Sequence, residues 1–446
     1  MPADPIRVLL IADQCNPEDV SVPLEGYQYV AALSRRPELS LTAVTNVWNR
    51  PALEKDPLSR RIPIEFIDHD FIAEPLLRFA HFLRGGSQLS WTIFSAMVWP
   101  VYVVFEHLVY RRFRKELRAG SFHIIHRVTP LSPTVPSPLA GLTDVPMVIG
   151  PLNGGLPWPT KEYPELLRRE REWLTKFRWM YRLLPFRRST FRHLRAVISG
   201  SRHTATEIPP WFRGMHFYLA ENGVDPDRFP LASSWPEPRG RFRFISMGRL
   251  VPFKGFDLVL EAIVGSDLLR RHSELVIVGD GPMRGPLEEF VARNQLDTCV
   301  RFLGRLEHRA LAEATGQSQA FVFPSLREFG GAVVLEAMAK ALPVIVVDYG
   351  GPGELATPQC GFKLQMAGRD VLIPKLRAAM ERLVDDPDLC RAMGKAGRDR
   401  VEREFTWDAK AERLVEIYRT ILESANAPER SRGVGGATSP TASAAN

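Results

Sequence analysis

The sequence predicts an α/β protein of two domains, each a parallel sheet covered by helices. Three observations carry this. At 446 residues the chain exceeds one typical domain, and two is the prior. The turn-rich run YLAENGVDPDRF (218–229) and the proline-rich, charged stretch Pro230 to Arg241 divide two successions of short apolar strands and helical segments. Within the second succession, FVFPSLREFGGAVVLEAMAKALPVIVV (Phe321 to Val347) reads as a complete strand–helix–strand unit.

In the first half, Ile6 to Ala12 is a buried strand and Asp13 to Gly26 a loop. A helix starts over Tyr27 to Ser34, and Leu39 to Thr45 is the second strand. Gly85 to Phe105 lacks charged side chains and is about as long as a bilayer is thick, but Pro100, its polar first half and Glu106-His107 argue against a span. It is expected to form one or two helices, partly buried and partly facing a membrane. Arg111, Arg112, Arg114, Lys115 and Arg118 follow. A second basic segment, Arg168 to Arg195, is interleaved with Trp173, Phe177, Trp179, Tyr181 and Phe186. Such mixtures suit either a membrane interface or a solvated helix face. Phe122 to His126, Val145 to Ile149 and Ala196 to Ser199 are further strands. The loop after the second of these carries Asn153, Gly154 and Gly155, on the side of the sheet where parallel strands present their carboxyl ends to ligands.

In the second half, Arg243 to Met247 is a strand ending in Gly248-Arg249. Lys254-Gly255 follows, and a helix starts near Asp257. Two cations between strand and helix stand where phosphates bind. Glu274 to Gly279 is the next strand. Gly279, Gly281 and Gly285 approach a dinucleotide fingerprint, but Val300 to Leu303 ends in Gly304-Arg305 with no acid for a ribose, which argues against a dehydrogenase. In the central unit Glu328 precedes the turn Phe329-Gly330-Gly331. A helix of good formers runs from Ala332 to Lys340 and contains Glu336, and Pro343 stops it before the strand Val344 to Val347. A helix start preceded by glycines offers free N–H groups to an anion, with one acid beside it and another about two turns on. FTWDAKAERLVEIYRTIL, with Leu414, Ile417, Tyr418 and Ile421 at helical spacing, closes the ordered chain; the small, polar residues 427–446 read as disordered.

Pro324, Ser325, Glu328, Gly331, Leu335, Glu336, Ala337, Met338, Ala339, Pro343 and Val344 resemble the Glu-x7-Glu motif of the retaining glycosyltransferases of family 4, group 1 glycosyltransferases of the GT-B fold. Phe329-Gly330 inverts the family's Gly-Phe, and Ala341 replaces its usual glycine. The linker N-G-V-D, G-R-L-x-x-x-K-G around Arg249 and Lys254, V-G-x-G-P at Gly279 and Gly281, F-L-G at Phe302 to Gly304 and G-G-x-x-E ending at Glu354 extend the likeness over the second half. In the first half it is weak.

The resemblance implies two Rossmann-like domains across a cleft. They would be residues 1–219 on the acceptor side, a linker 220–241, a donor-binding domain 242–404, and a helix 405–426 crossing back to the first domain. It implies transfer of a sugar, with retention and front-face chemistry, from a nucleotide-sugar donor to a glycan or lipid-linked acceptor, as in envelope polysaccharide synthesis. Arg249 and Lys254 would hold the departing diphosphate in place of a metal, so no metal or other cofactor is expected. Glu328 would contact the sugar and Glu336 the ribose. Gly330, Gly331 and Ala332 would cradle the phosphates, helped by Gly279, Gly281 and, in the first loop, Gly26. Gly304, Arg305 and Leu306 would face the base, and His126 the sugar; for a histidine the plainer alternative is a packed or capping role. A nucleotide-sugar epimerase, or a binding protein without turnover, remains an alternative on the same frame.

The charge of +7 suits anionic ligands or an anionic membrane face without singling out nucleic acid. Cys15, Cys299, Cys360 and Cys390 lack metal spacing and read as free thiols in a reducing compartment. The first residues lack a signal-peptide pattern. The expectation is a cytoplasmic protein, with peripheral contact to the membrane face as a possibility.

Overall fold

The computed structural model describes residues 4–76, 91–169 and 181–426. Two parallel sheets form. The first has the strand order β3-β2-β1-β4-β5-β6-β7, from β1 (Ile6–Ala12), β2 (Leu39–Asn46), β3 (Ile64–Ile67), β4 (Ile124–Thr129), β5 (Met147–Leu152), β6 (Ala196–Ser199) and β7 (Met215–Tyr218). The second has the order β10-β9-β8-β11-β12-β13, from β8 (Phe242–Met247), β9 (Ser273–Val278), β10 (Val300–Gly304), β11 (Ala320–Phe323), β12 (Val344–Val347) and β13 (Gly361–Leu364). Each order reverses once, between β1 and β4 and between β8 and β11. Doubly wound sheets open a crevice outside the strand ends at such a reversal.

Side-chain alternation gives the first sheet two apolar faces. Val8, Leu10, Val128 and Ile198 meet α1 (Val22–Leu33) and the last helix, while Leu9, Ile11, Ile125 and Val197 meet α2 (Trp91–Arg118). In the second domain α3 (Phe256–Val264), α4 (Arg284–Arg293) and α8 (Arg369–Asp385) cover one face. The other face receives α5 (His308–Gly316) and α6 (Ala332–Ala339); α7 (Gly350–Leu355) follows β12, and α9 (Pro387–Arg400) gives Cys390 and Met393 to the core on the first of these faces and packs Ala396 against the second. The last helix, α10 (Trp407–Asn426), returns to the first domain, where Leu414, Ile417, Tyr418 and Ile421 lie in its core. The two crossings run side by side: Val224 N–H donates to Phe405 O at 2.8 Å and Trp407 N–H to Val224 O at 3.2 Å.

The helix α1 starts at Val22, five residues earlier than the sequence suggests, because Pro23 fits a first turn, where its missing N–H has no intrahelical role. Gly26 therefore stands inside the helix, not in the loop. Its Cβ would collide with the Gln14 carbonyl, so glycine here serves the contact of helix with loop. The helix α2 is one continuous element through Pro100. Tyr102, Phe105, Val109, Phe113 and Leu117, spaced three or four apart, are buried against the sheet, and Glu106 is buried among them. Among the described residues no helix is long and apolar enough to cross a membrane. Residues 77–90, 170–180 and 427–446 lie outside the described residues, and with them Trp173, Phe177, Trp179 and the tail. All four cysteines are free and buried.

Candidate functional site

At the reversal point of the second sheet, β8 and β11 are neighbours, so the loops leaving their carboxyl ends meet. From the first loop Lys254, at the end of the 3-10 turn Pro252–Lys254, reaches Glu328 in the second and forms an ion pair with it. Lys254 Nζ also lies 5.0 Å from the centroid of the Phe323 ring. Burial pushes the ammonium pKa down to about 8, and the adjacent carboxylate works against that shift. Arg249, at the head of the same loop, is exposed and makes no side-chain ion pair or hydrogen bond among the described residues.

Gly331 precedes α6 with φ 78°, a conformation glycine adopts without strain. Gly330 lies so close to Asn222 that a Cβ would collide with its side-chain amide. The inverted Phe-Gly pair thus keeps glycine where the interdomain linker presses on the loop after β11, and the Phe329 ring faces the Arg327 guanidinium at 4.7 Å. Ala332 opens the helix, whose first N–H groups have no intrahelical acceptor. Glu336 follows, half-buried as a residue, with its Oε2 enclosed and unpartnered among the described residues; burial raises its carboxyl pKa to about 7. At the other end Ala341, where the resembling family has glycine, holds φ 56°, a strained conformation for a residue with a Cβ.

Gly279 and Gly281 sit differently from the expectation of an open approach to a ligand. Their Cβ positions are filled by the carbonyls of Gly248 and Leu250, so they let the next loop close on the Arg249 turn and seat it. Gly304 has φ 69° at the end of β10; Arg305 is exposed and Leu306 half-buried in the turn before α5.

His126 does not face the cleft. Alternation along β4 points it to the face covered by α10, where it is fully buried. Its ring nitrogens lie 2.6 Å from Tyr418 Oη and 2.8 Å from the Gly150 carbonyl, an arrangement met by a neutral ring that accepts from the phenol and donates to the carbonyl. Burial lowers its pKa to about 4. It is a packed histidine that ties the last helix to the sheet.

Asn153, Gly154 and Gly155 do lie beside the cleft, but they are pinned. Asn153 Nδ2 donates to Glu221, Thr204 Oγ1 donates to the Gly154 carbonyl at 3.0 Å, and His203 Nε2 lies 3.0 Å from the Gly155 carbonyl. From there the chain runs onto the second domain.

Several charged and polar residues meet at the domain junction. Glu354 accepts from Arg202 N–H at 2.9 Å and Tyr218 Oη at 3.0 Å, both in the first domain. Glu221 and Glu25 form a buried carboxyl pair, both raised in pKa by burial, beside Lys410, whose pKa burial lowers to about 7. Lys410 Nζ donates to the linker carbonyls of Ala220, Glu221 and Asn222. A charged Glu beside the linker's Asn-Gly turn was the visible signal for Glu221; nothing local marks Lys410. Among the described residues no three His, Cys, Asp or Glu side chains are grouped to hold a metal ion.

Residues 227–400 match the family model for glycosyl transferases group 1. A GDP-mannose-dependent monoacylated alpha-(1-6)-phosphatidylinositol monomannoside mannosyltransferase from Corynebacterium glutamicum is 31% identical over 262 residues, covering 53% of this chain and 66% of that protein. Alpha-maltose-1-phosphate synthase from Mycolicibacterium smegmatis is 39% identical over 244 residues, 51% of this chain and 62% of its own. The matched part thus spans less than two thirds of these relatives. Among solved structures, sucrose-phosphate synthase from Thermosynechococcus elongatus superposes with a TM-score of 0.61 at 19% identity, over 94% of this chain and 100% of that one. Anabaena Alr3699/HepE in complex with UDP superposes at 0.58 and 15% identity, over 93% and 100%. The second half of the chain, residues 227–400, is a group 1 glycosyl transferase domain, and it stands on a GT-B frame of two parallel-sheet, Rossmann-like domains.

Proposed function

We infer that the protein is a retaining glycosyltransferase that moves a sugar from a nucleotide-sugar donor to a glycan or lipid-linked acceptor. The observation that carries this is the Lys254–Glu328 ion pair at the crevice of the second sheet, beside the glycine-led start of α6. In the reading, the nucleoside diphosphate lies on that helix start and Arg249 and Lys254 stabilise the departing phosphate. Glu336 accepts hydrogen bonds from the ribose hydroxyls, and Glu328 holds the sugar. No side chain serves as nucleophile: the acceptor oxygen attacks the anomeric carbon on the face the phosphate leaves, and the phosphate oxygen takes the acceptor's proton. The relative named as acting on a phosphatidylinositol mannoside supports a lipid-linked acceptor.

Incubation with labelled nucleotide sugars, with and without glycan and lipid acceptors, tests the reading. Acceptor-dependent transfer with retained configuration is expected. An isomerised donor formed without acceptor would indicate an epimerase, and binding without turnover a binding protein. Because the two cations supply the countercharge, turnover is expected to persist in EDTA; loss that Mg²⁺ or Mn²⁺ restores would reject that part.

The same reading places the acceptor at a membrane surface. Leu183 and Phe186 are 71% and 48% exposed, next to the exposed Arg182 and Arg188. Sedimentation with anionic vesicles is expected at low salt and to fall as salt rises, since surface attraction is screened. Equal partitioning to neutral vesicles would reject an electrostatic contact.

A further inference from the structure

The first domain sends a strap into the second. Beyond Gly155 the chain leaves its own sheet, and Trp158, Tyr163 and Leu166 are buried in the core of the donor-side domain. The strap is fastened by two polar bonds to the residues just before the indole. Arg327 Nε donates to Leu156 O at 3.0 Å, and Tyr349 Oη donates to Pro157 O at 2.8 Å. Leu156 reaches Gly350, whose missing side chain leaves room for both Leu156 and the Glu328 carbonyl.

Trp158 is wedged between two residues. Its ring meets Phe253 edge-on, with centroids 5.7 Å apart, and the Arg327 guanidinium lies over it at 4.2 Å. Phe253 immediately precedes Lys254, and Arg327 immediately precedes Glu328. The two loops are also joined by backbone: Leu326 N–H donates to Phe253 O at 2.8 Å. One indole from the first domain therefore braces the two backbone segments that present the ion pair.

We propose that Trp158 is a positioning residue for the reaction, holding Lys254 and Glu328 in register only while the strap is docked. This rests on the reading of the site as a sugar-transfer centre. The indole need not touch substrate: it acts through Phe253 and Arg327. Its Nε1–H is buried and has no partner among the described residues, so the role belongs to the ring's volume and face and not to the N–H. A phenylalanine should therefore substitute, and an alanine should not.

The test compares W158A, W158F and Tyr349→Phe in the full chain. In W158A kcat is expected to fall about 10–100-fold, the scale of an ångström-sized misplacement, while the Kd for free nucleoside diphosphate by calorimetry stays within about twofold. Backbone amides of residues 253–255 and 326–331 should exchange hydrogen faster. W158F should keep both kcat and protection near the parent. If W158A does not fold, Tyr349→Phe carries the test, since it deletes only the bond to Pro157; it should lower kcat about 2–10-fold with unchanged nucleotide affinity. A folded W158A with parental kcat and parental exchange overturns the proposal. So does a nucleotide affinity that falls as far as kcat. A parent that transfers no sugar from any donor, with exchange still rising in W158A, overturns the activity and leaves the wedge standing.

Discussion

Lys254→Ala is expected to lower turnover about 10²–10³-fold, the usual cost of losing a group that meets a developing oxyanion. The geometry gives this loss a second source. Lys254 is the cation beside Glu328, and the alanine variant leaves that carboxylate to repel the incoming phosphates. The pH profile identifies the residue. A lysine whose pKa is about 8 is charged below that value and neutral above it. The parent's kcat/KM, which reports the free enzyme, should fall as pH rises through about 8, and Lys254→Ala should lack that limb. Parental turnover in Lys254→Ala would remove Lys254 from the leaving-group role.

The second large effect separates the two glutamates. Glu336→Gln should weaken free nucleoside diphosphate by about 1.5–3 kcal/mol, ten- to a hundredfold, because the proposed charge-assisted hydrogen bonds to the ribose would be lost. Glu328→Gln should leave that affinity nearly intact and lower turnover, because in the proposed reading it contacts the sugar and not the nucleotide. The raised pKa of Glu336 adds a sign that can be checked. In the empty site this carboxyl is protonated below about pH 7, so it accepts fully only above that. Nucleotide affinity of the parent should therefore fall as pH drops from 8 to 6 more steeply than that of Glu336→Gln. For stability the sign is opposite. A carboxyl raised from 4.5 to about 7 is favourable while protonated, and that contribution is lost as pH rises through about 7. Ligand-free Glu336→Gln should thus melt above the parent at pH 8 and near it at pH 5. If Glu328→Gln weakens the free nucleotide as much as Glu336→Gln does, the division of roles is wrong.

The central unit of the second domain was legible because its signals are local. Glycines before α6, good helix formers through it and Pro343 after it fix the unit without tertiary information. The pairing of Lys254 with Glu328 was not, since nothing in the intervening residues says that β8 and β11 are neighbours. His126 shows a different gap. The strand IIHRVT is buried on both faces, and such strands carry no polar–apolar alternation from which to read which face a residue takes. Parity alone decides between cleft and core. The start of α1 lies five residues before the sequence reading because Pro23 occupies a first turn, where a helix accepts proline. Trp158 stood in plain view between Pro157 and Pro159, but an aromatic in a proline-rich loop does not say which domain it enters.

The return of α10 onto the first sheet has a consequence for how the chain must be made. The last strand of that sheet ends at Tyr218, yet Leu414, Ile417, Tyr418 and Ile421, which close one of its faces, are synthesised only after the whole second domain. A nascent first domain therefore waits with an apolar trench open. His126 waits there too, since its phenol partner is Tyr418. Cutting the gene at the linker would strand that trench in the first fragment. An expressible first domain therefore needs α10 restored, by fusing residues 407–426 behind Tyr218 or supplying them as a separate peptide.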